Sequence, residues 1–123
     1  MSIAAAQAAI FYRDVGRTRR LWTIRDAGGF PAPKNSRGAR AHPFWSTLSR
    51  VERIIKNVPA YHGFEPVELT WEDFRNQFVP YLEEQGMEVG VNWSGKGATG
   101  YDLDLPSFLE TMTWHLEHPD ASA

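Results

Sequence analysis

The sequence predicts an α+β domain: one mixed or antiparallel sheet of about four strands packed against helices, with an N-terminal helix and a C-terminal helix. Three observations predict it. Segments with apolar residues at helical spacing alternate with short β-branched and aromatic runs, and clusters of Gly, Pro and Asn separate them. A hydrophobic content of 42% over 123 residues supplies one packed core, so residues 1–123 read as a single domain. Its core is expected over 20–117, with a long basic loop over 26–41 and a tail over 118–123.

Ile3 to Val15 carries Ile3, Ala6, Ile10 and Val15 on one stripe, which predicts a helix stopped by Gly16. Arg20 to Arg25 alternates around Leu21, Trp22 and Ile24 and predicts a strand. His42 to Ser46 is expected to pair with it across the loop as a wide hairpin, with Pro43 marking an edge. Ser49 and Glu52 suggest a capping box for a helix bearing Val51, Ile54, Ile55 and Val58, which Pro59 ends. Phe64 to Leu69 reads as a short strand. Thr70 with Asp73 caps a helix that buries Trp71, Phe74, Phe78 and Leu82, is kinked or split by Pro80 and stops at Gly86. Met87, Val89, Val91 and Trp93 alternate on one face of the clearest strand, and Tyr101 to Leu103 adds extended residues. Asp104 and Pro106 then start a last helix whose inner face holds Phe108, Leu109, Met112 and Leu116. Helices covering one face of the sheet bury these stripes.

Charge is unevenly spread. Residues 1–40 hold eight basic groups against Asp14 and Asp26, whereas the remaining 83 hold five basic and thirteen acidic. The simplest reading is neutralisation within one fold; the alternative is a site for an anionic partner. The absence of cysteine removes disulfides, thiolate metal sites and cysteine nucleophiles and fits the cytoplasm. The N-terminal charge order is not that of a signal peptide, and no apolar run has the length of a membrane span.

Two loops carry the chemistry. The basic loop presents Lys34, Arg37 and Arg40, with Arg25 on the strand before it, and suits a protein partner or, less well, a phosphate backbone. No nucleic-acid-binding motif accompanies it, which disfavours that partner. The second loop, Asn92 to Gly100, combines glycines with Ser94, Lys96 and Thr99, the materials of an anion cradle. Its spacing is neither a Walker loop nor a dinucleotide fingerprint, and a tight turn explains the same letters. His115 and His118 lack a third ligand, and no serine lies in a nucleophile elbow. No catalytic residue, metal or cofactor is therefore assigned.

Phe44-Trp45-Ser46, Phe64-Glu65-Pro66 and Asn92-Trp93-Ser94-Gly95 resemble, together with Leu21–Asp26 and Gly29–Pro33, a family of short bacterial proteins, domain of unknown function 2750. The resemblance spans roughly residues 20–103. It implies a compact bacterial cytoplasmic protein and brings no activity or catalytic residue. If the two tryptophan-serine segments converge, Trp45, Ser46, Asn92, Trp93, Ser94 and Lys96 line one shallow site with Arg25 or Arg40 near it. The first reading is a non-enzymatic protein-binding or regulatory module acting through the basic loop. The alternative is a small-anion or nucleotide-binding protein acting through Asn92–Thr99. Oligomeric state is left open.

Overall fold

Proline-free and alanine-rich, the first helical stretch begins where the Ser2 hydroxyl accepts a hydrogen bond from the Ala5 N–H (3.1 Å). The computed structural model describes residues 2–120. The last three residues of the expected tail, 121–123, lie outside the described residues.

Helix α1 (Ile3–Thr18) runs past Gly16 and ends at Arg19, which takes the left-handed conformation at φ 57°. Gly16 has a different task. A Cβ there would stand 2.8 Å from the backbone oxygen of His115, so the missing side chain is what lets the last helix approach.

Strand β1 (Arg20–Arg25) pairs antiparallel with β3 (Glu65–Thr70). Strand β2 (Ala41–Phe44) runs parallel to β4 (Glu88–Ser94), and β4 is antiparallel to β5 (Thr99–Leu103). The wide hairpin of β1 with β2 does not form. These strands meet at one bridge, where Trp22 and Trp45 exchange two N–H···O bonds of 2.8 Å. Pro43 has no N–H with which to continue that ladder, and its carbonyl instead accepts from the Thr23 hydroxyl (2.9 Å). That single bridge links the two-stranded sheet β1–β3 to the three-stranded sheet β2–β4–β5, in which β2, with Pro43, is an edge as expected.

Helices cover both faces rather than one. Helix α1, α5 (Leu105–Glu117) and the helical rod after β3 bury Phe44, Val89 and Val91 together with Phe11, Phe74 and Phe108. Helix α2 (Leu48–Asn57) lies against a second cluster containing Ile24, Trp45 and Trp93. Its cap is Thr47, which accepts from the Arg50 N–H, and not Ser49. Pro59 does not only end α2: it opens a 3-10 turn (Pro59–Tyr61).

The rod after β3 consists of α3 (Trp71–Asp73), a π-helical turn (Phe74–Phe78) and α4 (Val79–Gln85). Thr70 and Asp73 form the expected reciprocal capping box, at 3.0 and 3.1 Å. The wide turn, closed by Val79 N–H on the Phe74 carbonyl, comes immediately before Pro80, and the rod continues past the proline without splitting. Gly86 at φ 64° ends it.

Candidate functional site

Alternation along β4 holds only as far as Val91. Asn92 takes the left-handed conformation at φ 48°, and the register with β5 shifts between Val91 and Ser94. The resulting bulge turns Trp93 to the opposite face from Val89 and Val91. There its indole lies over two glycines: a Cβ on Gly90 would stand 2.5 Å from the ring, and one on Gly100 2.8 Å. The indole N–H donates to Asp102 Oδ1 (2.8 Å), and the Trp93 carbonyl accepts from the Trp45 indole (2.9 Å). The sequence Gly-Val-Asn-Trp thus folds as one device for laying a tryptophan across a sheet.

Ser46 and Asn92 are brought together, but inside the protein. Asn92 Oδ1 accepts from the Ser46 N–H (2.9 Å), while its amide donates to the Ser46 hydroxyl and to the Gln7 carbonyl (3.1 Å each). The Ser46 hydroxyl donates to Asp14 Oδ2 (2.8 Å). Every polar side-chain atom of this pair has a partner, and Trp45, Ser46, Asn92 and Trp93 are all buried. Ser46 and Asn92 strut α1 against the sheet and do not line an open surface. Arg13 lies beside them, 3.8 Å from Asp14, within ion-pair range but beyond hydrogen-bond distance.

The basic loop is exposed, yet much of its charge is spent. Arg37 makes a bidentate contact with Glu88 (2.6 and 3.0 Å), which holds its guanidinium above the usual value. Asn35 donates to both Glu88 and Asp102 (3.0 Å each), fastening the loop to the three-stranded sheet. Arg40 reaches the Ala32 carbonyl (2.9 Å). Arg25 and Lys34 remain exposed.

Two clefts border the second loop. The larger, about 820 Å³, lies between the latched loop, the 3-10 turn and β5, and is lined by Lys34, Glu88, Asp102 and Asp104 among others. The smaller, about 340 Å³, lies between α2 and the β4–β5 turn. Arg50, Arg53 and Lys96 line it with Asn57 and Ser94, over Ile54 and Trp93, and among the described residues no carboxylate does. Burial first, and then the charges of Arg53 and Arg13, pull the Arg50 guanidinium below its usual value; Asp14 acts against them.

Ser94 and Lys96 are therefore placed at an open pocket, as their loop position suggested, and their companions are on α2. Arg50, Arg53 and Asn57 were not legible as a site because they lie in the acidic remainder, outside the charge excess of residues 1–40. Their signal was the spacing of three and then four residues, which puts all three on one helix face beside the apolar stripe.

The terminal histidines serve packing: His115 stacks on Tyr12 and His118 on Trp114, with His118 Nδ1 2.8 Å from the Trp114 carbonyl. Among the described residues no group of histidines and carboxylates could hold a metal ion, and no helix is long and apolar enough to cross a membrane.

Comparison with curated proteins gives no match. The family model described as a protein of unknown function (DUF2750) matches residues 8–112, a span that contains the bulge, both clefts and the latched loop, and the chain belongs to that family.

Proposed function

We propose that the protein is a binding module for a small anion, held in the pocket between α2 and the β4–β5 turn. One observation carries this reading. Only five basic residues lie beyond residue 40, in a stretch with thirteen acidic ones, and three of the five converge on a pocket that no carboxylate lines among the described residues. Like charges drawn together repel unless an anion joins them; Arg50 is depressed mainly by burial, to which Arg53 adds and which Asp14 opposes. The backbone turn at Gly95, the Ser94 hydroxyl and the Asn57 amide add neutral hydrogen-bonding groups. A volume of about 340 Å³ suits a small molecule rather than a macromolecular surface.

A protein partner at the basic loop has less support, because Arg37 is neutralised by Glu88 and Asn35 is engaged within the fold.

Thermal unfolding with added sodium phosphate or sulfate, against sodium chloride at equal ionic strength, tests the anion reading. Saturating anion raises the melting temperature of the wild type, since a ligand at 100 times its Kd stabilises by about 2.7 kcal/mol. The rise disappears in Arg53→Glu and in Lys96→Glu. An equal rise in both variants, or none in the wild type, contradicts the assignment.

A further inference from the structure

The two clefts follow one another along a single seam. On one wall, Arg50, Arg53 and Asn57 of α2 line the small pocket, and Val58, Ala60 and Tyr61, next in the chain, line the large one. On the other wall, Ser94 to Lys96 line the small pocket and Gly97 to Gly100 the large one. Trp93 borders both. The seam changes character along its length: three cations at the α2 end, then exposed hydrogen-bonding groups at Lys34, Thr99, Asp104 and Ser107.

We propose that the ligand is a phosphate monoester, its phosphoryl group held by Arg50, Arg53 and Lys96 and its organic part lying in the large cleft beyond Trp93. This rests on the anion reading above and narrows it. Charge number argues for the phosphoryl group. A carboxylate offers one negative charge to three cations, whereas a phosphate monoester offers close to two at neutral pH and three acceptor oxygens. Guanidinium groups match that oxygen geometry with paired donors, and two of the three cations are arginines. Continuity argues for the ester, because a bare phosphate uses only the basic end of the seam. The adjoining 820 Å³ lies in the size range of organic-ligand sites.

The groups acting on the phosphoryl end are Arg53 and Arg50 from α2, Lys96 from the turn, and Arg13 and Asp14 from α1 through their effect on Arg50. No histidine lines the small pocket, so pH dependence near 6 belongs to the second ionisation of the ester.

Calorimetric titration at constant ionic strength tests this with four probes: sulfate, inorganic phosphate, ribose 5-phosphate and phenyl phosphate. In the wild type at least one ester binds about tenfold more tightly than inorganic phosphate, a gain of about 1.4 kcal/mol. Ala60→Trp, at an exposed position of the large cleft, removes that advantage and leaves inorganic phosphate affinity unchanged. Arg53→Ala weakens all the anions by roughly tenfold or more, as expected for a lost charge-assisted hydrogen bond. Ester affinity rises from pH 5.5 to 7.5 while sulfate affinity stays flat. Esters that bind no better than inorganic phosphate, or whose advantage survives Ala60→Trp, overturn the ester proposal and leave the anion reading standing. No binding by any of the four overturns both.

Discussion

The hydrogen bonds around His42 fix its tautomer. Thr23 has one hydroxyl proton and gives it to the Pro43 carbonyl, so its oxygen accepts from His42 Nε2–H at 3.0 Å. Nδ1 is left as a buried lone pair without a partner, inside a box of Phe30, Phe44, Phe78 and Tyr81 rings. Burial accordingly pulls His42 from 6.5 down to about 3. In the unfolded chain it takes a proton near pH 6.5, and in the folded protein it does not. Its contribution to stability is complete above pH 6.5 and falls as pH drops toward 3, by about 1.4 kcal/mol per unit once the unfolded form is protonated. Urea unfolding from pH 7 to 5 is expected to show a steeper loss for the wild type than for His42→Phe, by about 2 kcal/mol at pH 5; parallel curves contradict the tautomer and the burial together. Asn92 gives a second prediction. Asn92→Ala strands the Ser46 N–H and keeps a side chain at φ 48°, at an expected cost of about 2–4 kcal/mol. Asn92→Gly relieves the backbone but not the lost bonds, so its cost is about 1 kcal/mol smaller. Equal stability of all three proteins contradicts the strut. Neither residue announced its role in the sequence: alternation marked Val89 and Val91 correctly, but a bulge is a tertiary event, and only Gly90 and Gly100, spaced around Trp93, hinted at one.

Element boundaries were legible wherever local chemistry decides them. Strand β1 lies where alternation placed it, the Thr70–Asp73 box forms, Gly86 ends its helix through its left-handed conformation and Asp104 begins the last one through its side chain. Partners of the strands were not legible, because Pro43 forbids a ladder that proximity in sequence suggests, and β1 turns to β3 instead. Gly16 shows the same limit within a helix. Local propensity treats it as a stop, whereas packing requires it mid-helix against His115. In an exposed helix Gly→Ala gains about 1 kcal/mol. Here the new Cβ meets backbone that cannot rotate away, and overpacking costs typically about 1–3 kcal/mol. Gly16→Ala is therefore expected to lower stability in denaturant unfolding, and a stabilised variant contradicts the close approach of α1 and α5. The latch of the basic loop is testable at the same scale. Glu88→Ala removes an acceptor for both Asn35 and Arg37, so amide exchange should quicken across residues 33–39 while β1 stays protected; unchanged loop exchange contradicts the latch.

At the scale of the whole molecule, the charge split of the sequence does not point to the proposed anion pocket. The positive excess of residues 1–40 is partly cancelled across the fold, by Glu68 on Arg20 and Glu88 on Arg37. The acidic remainder conceals a pocket lined by Arg50, Arg53 and Lys96, because α2 and the β4–β5 turn come together only when the Asn92 bulge carries Trp93 to the α2 side. Composition offered the glycine-rich loop as a candidate anion cradle; the wall opposite it was not legible, since nothing in sequence joins residues 50–57 to 94–96. An anion is expected to bind at that union of α2 and the turn. Titration of the isotope-labelled protein with sodium phosphate, followed by backbone and indole NMR shifts, tests it most directly. The account predicts saturable shifts at Arg50, Arg53, Asn57, Ser94 to Lys96 and the Trp93 indole. Shifts confined to the loop over 33–40, or none at any phosphate concentration, would contradict it.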